Sequence, residues 1–186
     1  MFSQAIRLDE NSLAAYGSRG IVYDKQGNFT QAIADYNKAI AINTNVADSY
    51  YNRGITYGKQ GDYTKAVIDF TKAIALNPND ASSYYNRGIT YGKQGDYIKA
   101  VADFTSAIAL NPNDVSAYYN RGIAYSKQGR FTQAIADYTK VTTLNPSDAD
   151  AYNNRGNIYY KQGKYMQAVA DFTKAIVLNP NDAKAY

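Results

Sequence analysis

The chain has 186 residues, among them 20 tyrosines but no cysteine, histidine or tryptophan. Without cysteine and histidine it lacks disulfides, thiol nucleophiles and the commonest general base and metal ligand, so hydrolase triads and most transition-metal sites are disfavoured. Twenty basic and 16 acidic residues leave a net charge of +4, too small a surplus for a protein that coats nucleic acid. We therefore expect no catalytic site, no metal and no cofactor.

The beginning of the chain gives no targeting signal. Its first residues lack the run of about 7–15 apolar residues of a signal peptide. No later stretch approaches the roughly 18 apolar residues that a membrane span needs. We therefore expect a cytoplasmic chain without membrane contact.

A period of 34 residues runs through the sequence. Residues 47–80 and 81–114 align without gaps and differ at only four places. The same register extends in both directions, so that residues 1–12 form a partial repeat and residues 183–186 begin a sixth full one. We therefore predict a single array over residues 1–186. Its five full repeats are 13–46, 47–80, 81–114, 115–148 and 149–182.

Each repeat predicts two helices, the first of which is clearest in 47–80. It should run from about residue 48 to residue 60, because Tyr50, Gly54 and Tyr57 recur at helical spacing on one face. A glycine so close to the middle of a helix is costly, which indicates that another helix approaches it closely.

The second helix of 47–80 is bounded by turn and cap residues. Gly61 supplies a left-handed residue after the first helix, and Asp62 can cap the next one. Apolar residues at helical spacing then continue from Tyr63 to Leu76, where Asn77 and Pro78 end the helix.

The residues at these places resemble the sequence pattern of the tetratricopeptide repeat family. That family has a large aromatic residue, Leu-Gly, Tyr, Ala, an aromatic residue, Ala and Pro at fixed places. The resemblance implies an all-α fold, a right-handed superhelical solenoid of antiparallel helix pairs, and a concave groove lined by the first helices. In this chain Tyr replaces Trp and Arg replaces the Leu. The residues of 47–80 that match are Tyr50, Gly54, Tyr57, Ala66, Phe70, Ala73 and Pro78.

The fifth, ninth and twelfth residues of each repeat share one helix face, with the sixth and thirteenth beside it, and the resemblance implies that this face lines the groove. Asparagine can pair with a peptide backbone as donor and acceptor, and tyrosine adds contact area at low entropic cost. Lysine favours an acidic partner or a C-terminal carboxylate. The expected groove residues are Tyr51, Tyr85, Tyr119, Asn52, Asn86, Asn120, Asn153, Asn154, Asn157, Lys59, Lys93, Lys127 and Lys161, together with Ile55, Ile89 and Ile123.

Two classes of function remain open. The first is a scaffold for protein–protein interaction that binds an extended or helical peptide in the groove. The alternative is a structural or self-assembling repeat array, natural or designed, with no dedicated peptide ligand. Nucleic-acid binding is disfavoured because the pentatricopeptide proteins that bind it have a typical period of 35, and an enzyme is disfavoured because the acidic residues are scattered.

An arginine stands in every repeat where the family has leucine, and every repeat also has an aspartate 16 residues later. A charge at a packed position needs a partner, so we expect structural Arg–Asp pairs. The residues are Arg19, Arg53, Arg87, Arg121 and Arg155, with Asp35, Asp69, Asp103, Asp137 and Asp171.

The two ends of the array predict a weak self-association. The second helix of 149–182 has little to cover Val169, Phe172 and Ile176, and residues 1–9 should form a lone helix. Two uncapped ends favour head-to-tail stacking.

Overall fold

The structure is a computed structural model, and it describes residues 11–180. This part of the chain contains ten α-helices and no strand. In chain order they are α1 (Leu13–Lys25), α2 (Phe29–Ile42), α3 (Ala47–Lys59), α4 (Tyr63–Leu76), α5 (Ala81–Lys93), α6 (Tyr97–Leu110), α7 (Val115–Lys127), α8 (Phe131–Leu144), α9 (Ala149–Lys161) and α10 (Tyr165–Leu178).

The predicted boundaries of the helices in 47–80 are confirmed to within a residue. Gly61 has a φ of 81°, which places it in the left-handed region between α3 and α4. The Asp62 carboxylate accepts a hydrogen bond from the Lys65 backbone N–H at the start of α4. The Asp80 carboxylate caps α5 in the same way, through the backbone N–H groups of Ser82 and Ser83. The turns and caps of the repeat therefore follow from local sequence.

The contacts divide the chain into two compact units, one up to Gln94 and one from Gly95. In unit 1 each of the helices α1 to α5 packs against the next, and first helices also meet across repeats, α1 with α3 and α3 with α5. In unit 2 the helices α6 to α10 pack consecutively in the same manner. The all-α array of helix pairs is confirmed, whereas a single domain over residues 1–186 stays a prediction.

Small residues and one aromatic residue from each second helix build the core. In unit 1 Ala66, Phe70 and Ala73 of α4 are buried. In unit 2 the buried cluster contains Ala134, Tyr138, Val141, Ala151 and Ile158. Burial of one aromatic side chain per repeat gives each helix pair much of its apolar contact area.

The mid-helix glycines allow the two helices of a repeat to approach closely. A Cβ atom added at Gly54 would lie 3.0 Å from Cε1 of Phe70. At Gly20 and Gly122 the corresponding distances to Tyr36 and Tyr138 are 2.7 and 3.0 Å. The aromatic ring therefore occupies the space that a side chain would need.

The predicted Arg–Asp pairs are present wherever both residues belong to one unit. The Arg53 guanidinium donates from Nε to Asp69 Oδ2 and from Nη2 to Asp69 Oδ1, both at 2.7 Å. The same bidentate geometry joins Arg121 to Asp137 at 2.8 Å. The pairs Arg19–Asp35 and Arg155–Asp171 repeat it.

The third nitrogen of the guanidinium reaches the preceding repeat. Arg53 Nη1 donates to Asn37 Oδ1 on α2, and Arg121 Nη1 donates to Thr105 Oγ1 on α6 at 3.0 Å. Arg87 and Arg155 reach the hydroxyls of Thr71 and Thr139 in the same way. One arginine thus connects three helices.

Two tyrosine rings enclose Arg53. The Cζ atom of Arg53 lies 5.6 Å from the ring centroid of Tyr50 and 6.0 Å from that of Tyr57. These distances are typical of a guanidinium stacked on an aromatic face. The hydrogen-bonded aspartate raises the pKa of the Arg53 guanidinium above its ordinary value, against the effect of burial. The arginine therefore stays charged inside a largely apolar setting.

The structure describes only part of the surfaces on which the predicted self-association depends. Val169 on α10 is 63% exposed, while Phe172 and Ile176 are half-buried. Residues 1–9 and 183–186 lie outside the described residues. End-to-end association stays a prediction.

Two glycines of α3 should respond in opposite ways to alanine. Gly54→Ala should lower the free energy of unfolding by about 1–3 kcal/mol, because the added methyl group overpacks Phe70. Gly58→Ala should raise it by up to about 1 kcal/mol, because nothing lies within 4 Å of the new Cβ and alanine favours helix. Guanidinium chloride unfolding of both variants tests this, and equal effects would contradict it.

The Arg53–Asp69 pair should behave as a coupled unit. Asp69→Ala should destabilise the protein by about 3 kcal/mol, since it leaves a buried guanidinium without its partner. The double variant Arg53→Leu, Asp69→Ala should recover much of this loss because it removes both charges. A double-mutant cycle measured by unfolding gives the coupling energy. Additive effects of the two single changes would show that the pair does not act as a unit.

Candidate functional site

The first helices of unit 1 form a face that contains an open pocket. Its volume is about 220 Å³, and it lies between α3 and α5 over part of α4. Isoleucines and Phe70 supply its apolar lining, while asparagine, threonine and lysine supply polar groups. The lining residues are Gly54, Ile55, Gly58, Lys59, Tyr63, Phe70, Asn86, Ile89, Thr90 and Lys93.

Unit 2 has a pocket in the same register, between α7 and α9. Its volume is about 420 Å³. Two lysines and an asparagine again stand at the thirteenth and sixth places of their repeats. The lining residues are Tyr119, Ile123, Ser126, Lys127, Tyr138, Asn154, Asn157, Ile158 and Lys161. We call the surface around these two pockets, in either unit, the first-helix face.

The asparagines and tyrosines of this face are bonded to each other across neighbouring repeats. Asn86 Nδ2 donates to the Tyr51 hydroxyl at 3.1 Å, and Asn154 Nδ2 donates to the Tyr119 hydroxyl at 2.9 Å. Asn86 Nδ2 also donates to the backbone carbonyl of Ser82 at 2.9 Å. Because an amide NH₂ group has two hydrogens, both donors of Asn86 are used within the protein. Its Oδ1 atom is the group that remains for a ligand.

Asn52 has a different environment from Asn86. Glycine stands at the fifth place of the first repeat, as Gly17, so no tyrosine hydroxyl is available there. The pairing of sixth-place asparagine with fifth-place tyrosine therefore depends on the repeat that precedes it.

The tyrosines at the fifth place also pack against the core. The Tyr51 ring meets the Phe70 ring edge to face with centroids 6.0 Å apart, and Tyr119 meets Tyr138 at 5.9 Å. Burial raises the pKa of the Tyr51 and Tyr119 phenols above their ordinary value, with a smaller contribution from the nearby carboxylates of Asp80 and Asp150. These side chains hold neighbouring repeats together and are only half-exposed.

The lysines at the thirteenth place differ in their partners. Lys59 forms an ion pair with Asp24 of the preceding repeat. Among residues 11–180, Lys93, Lys127 and Lys161 have no carboxylate within ion-pair distance. The positive charge of the thirteenth place is thus neutralised in Lys59, at the first junction between repeats. In Lys93, Lys127 and Lys161 it is not neutralised by a carboxylate of residues 11–180.

The three asparagines of the last repeat do not share one environment. Asn157 is exposed and Asn154 is half-buried, and both line the pocket of unit 2. Asn153 is only 7% exposed, and its Oδ1 atom has no hydrogen-bond partner among the described residues. It stands where the three preceding repeats have the larger tyrosine side chain.

Sequence reasoning missed the tenth place of the repeat and named no residue at the twelfth, which it had only placed on the groove face. Thr56 Oγ1 donates to Asp24 Oδ1 at 2.9 Å, beside the ion pair of Asp24 with Lys59. The twelfth place varies along the chain, as Asp24, Gly58, Gly92, Ser126 and Tyr160, whereas the thirteenth place beside it is lysine in all five repeats. That variation was the signal in the sequence.

Two classes of feature are absent from the described residues. No group of three or more acidic side chains in residues 11–180 could hold a metal ion. None of the helices in this part of the chain combines the length and hydropathy needed to cross a membrane.

Sequence profiles of the tetratricopeptide repeat match most of this array. One profile, described as TPR repeat, matches residues 23–61, 93–129 and 124–163. Profiles described as tetratricopeptide repeat match residues 47–80 and 149–182, and residues 70–102. The chain belongs to the tetratricopeptide repeat family. No curated protein sequence is a match for it.

Solved structures of other tetratricopeptide repeat proteins are similar to this one. YrrB, described as a TPR protein with an unusual peptide-binding site, is 26% identical with a TM-score of 0.88. The similarity covers 99% of this chain and 95% of YrrB. A MamA protein is 28% identical with a TM-score of 0.86, over 92% of this chain and 94% of its own.

The contribution of Tyr51 to the free energy of unfolding should depend on pH in the alkaline range. Because the folded state holds the pKa of Tyr51 above its ordinary value of about 10, the unfolded chain ionises first as pH rises. The stabilising contribution of Tyr51 should be complete below about pH 10 and should decline above it. Comparison of wild type with Tyr51→Phe in urea unfolding across this range isolates the effect. A difference that stays constant with pH would contradict the prediction.

Proposed function

We propose that this protein is a non-catalytic interaction scaffold that binds a peptide segment of a partner protein on the first-helix face. The observation that carries the proposal is the recurrence of an open pocket at one register in both units. The two pockets stand two repeats apart and have lysine and asparagine at equivalent places, so each offers both a positive charge and an amide beside apolar side chains.

The chemistry of the face suits an extended backbone with side chains of mixed polarity. Oδ1 of Asn86 accepts a hydrogen bond from a peptide N–H, because both amide hydrogens of Asn86 are already used. Ile55 and Ile89 offer apolar contact in the same pocket. A peptide that rises about 3.3 Å per residue would place roughly three residues on each repeat, because neighbouring helices pack about 8–10 Å apart.

The similar structures support this proposal. The description of YrrB assigns it a peptide-binding site, and YrrB shares the fold over nearly the whole of both chains. At 26% identity the similarity does not transfer a ligand. We infer the mode of binding from the residues of this chain.

A second candidate, a self-assembling array, has one observation in its favour. Met166, Val169 and Val177 on α10 are 88%, 63% and 70% exposed. A second copy that covers this apolar surface would give concentration-dependent association, which sedimentation measures directly. A monomer at all concentrations would remove this candidate and leave the scaffold.

The substitution Asn86→Ala should weaken peptide binding and leave the stability of the fold nearly unchanged. In peptides selected from a displayed library against the full chain, Asn86→Ala should weaken binding about tenfold, the effect of one lost hydrogen bond in a desolvated site. The matched control is Tyr51→Phe, which removes the hydroxyl that accepts from Asn86 but keeps the Asn86 amide. It should weaken binding about twofold at most, because the acceptor Oδ1 is retained. Fluorescence anisotropy measures both affinities.

Two outcomes would contradict the proposal. One is a screen from which no peptide is selected against the full chain. The other is a selected peptide whose affinity is the same for wild type and Asn86→Ala.

A further inference from the structure

Three places in the repeat register meet at each junction between repeats. They are the twelfth place of one repeat and the tenth and thirteenth places of the next. At the first junction they are Asp24, Thr56 and Lys59. The Asp24 carboxylate accepts a hydrogen bond from Thr56 Oγ1 at 2.9 Å on one oxygen and pairs with Lys59 Nζ on the other. A hydroxyl and an ammonium group thus hold a carboxylate that the chain itself provides.

The next junction keeps both donors and lacks the carboxylate. Thirty-four residues later the same places hold Gly58, Thr90 and Lys93, all of which line the pocket of unit 1. No heavy atom lies within 4 Å of a Cβ built on Gly58. The space that the side chain of Asp24 fills at the first junction is therefore open at the second.

Neither donor at the second junction has an acidic partner. Thr90 Oγ1 donates to the Asn86 backbone carbonyl of its own helix at 2.7 Å. Lys93 has no ion pair within residues 11–180. Thr56 lies near the equivalent carbonyl, Asn52 O, at 3.1 Å, and still donates to Asp24. A threonine hydroxyl in this position can therefore reach a carboxylate while it stays beside the carbonyl of its own helix.

The pocket of unit 2 provides an internal comparison. Its junction consists of Ser126, Ile158 and Lys161, so the lysine is kept but isoleucine replaces the threonine. A carboxylate there would meet one of the two donors. Among the junctions within the two units, the one at Gly58 is therefore the junction that combines both donors, threonine and lysine, with an open twelfth place.

We propose that the pocket at Gly58 binds the carboxylate of an acidic side chain from an extended partner peptide. The carboxylate takes the place that the Asp24 carboxylate occupies one junction earlier, accepts from Thr90 Oγ1 and pairs with Lys93. This inference rests on the proposed function, which it deepens by naming the chemistry of the ligand.

The rest of the pocket favours glutamate as the acidic residue. Ile55, Ile89 and Phe70 line it beside the two donors, and they would cover the methylene groups of a glutamate side chain. A net charge of +4 on the chain assists the approach of an acidic peptide at low salt. Glutamine has the same shape without the charge, so it is the matched ligand control.

The probe is an octapeptide of alternating alanine and glutamate with a neutral BODIPY dye on its N-terminus and an amidated C-terminus, so that its only carboxylates are those of the glutamate side chains. With the full chain at low ionic strength, it should bind at least about tenfold more tightly than its glutamine counterpart, since a charge-assisted pair is lost. Free glutarate, titrated alone, distinguishes a general carboxylate site from one that needs a peptide. Amide chemical shifts of Gly58, Thr90 and Lys93 should locate the bound peptide at this pocket.

Variants at the twelfth place test directly whether a ligand carboxylate binds at Gly58 as the Asp24 carboxylate does at the first junction. Gly58→Asp supplies an internal carboxylate and should weaken the glutamate peptide about tenfold. Gly58→Ala places a methyl group in the space that the ligand carboxylate needs, so it should also weaken the peptide, but it supplies no internal carboxylate to Thr90 and Lys93. The control is Gly17→Asp, which adds the same charge at a helical glycine of the first repeat whose Cβ would also meet no neighbour within 4 Å, and it should change the affinity by about twofold at most. Asp24→Gly should create a second site, reported by shifts at Thr56 and Lys59.

A crystal structure of Gly58→Asp gives a readout that needs no peptide. The introduced carboxylate should accept from Thr90 Oγ1 and pair with Lys93 Nζ, as Asp24 does with Thr56 and Lys59. A carboxylate that points away from both donors would overturn the proposal. So would equal affinities for the glutamate and glutamine peptides, or an unchanged affinity in Gly58→Asp.

The experiments distinguish a failure of this inference from a failure of the proposed function. If library-selected peptides still depend on Asn86 while Gly58→Asp has no effect, the face binds peptides and the carboxylate site is wrong. If glutarate binds at Gly58 as tightly as the octapeptide, the site recognises a small carboxylate and the peptide assignment is overturned.

Discussion

The arginine at the seventh place is the interaction on which the stacking of the repeats depends. In Arg53 one guanidinium makes a bidentate pair with Asp69, reaches Asn37 in the preceding repeat and lies between two tyrosine rings. A leucine at this place could contribute only packing. The arginine also fixes an orientation, because a planar fork matched to a carboxylate tolerates little rotation. Its recurrence in each unit imposes the same relation between each helix pair and the one before it.

That constraint leaves the first-helix face free to vary. The arginine, its aspartate and the mid-helix glycine define how closely the helices pack, and none of these residues needs the twelfth place. Asp24, Gly58 and Ser126 can therefore occupy equivalent places while the backbone stays the same. A change from aspartate to glycine there alters the chemistry of a pocket without disturbing the core, since the space beyond Gly58 is open.

The asparagines and tyrosines of the face have two roles at once. Asn86 joins its repeat to the preceding one through the Tyr51 hydroxyl, and Tyr51 in turn packs on Phe70. Asn86 also lines the pocket of unit 1. An interaction side chain that is fixed in this way loses little conformational entropy when a ligand binds. Asn153, buried with an unpartnered Oδ1 atom, shows that the same residue type in the neighbouring place has a different environment.

The sequence by itself determined the period, the two helices of each repeat, their caps and the Arg–Asp pairs. Each of these depends on residues within one repeat, such as Gly61 and Asp62 at a turn or Arg53 and Asp69 sixteen residues apart, so spacing and local propensity are enough. Only the tertiary structure decided that Asn86 donates to the Tyr51 hydroxyl, that Asp24 pairs with Lys59 at the first junction and that the space at Gly58 is open at the second. These outcomes depend on which side chains of two different repeats come within a few ångströms of each other. A periodic pattern shows which residues are equivalent in two repeats, whereas the contact between the repeats depends on the packing of their helices.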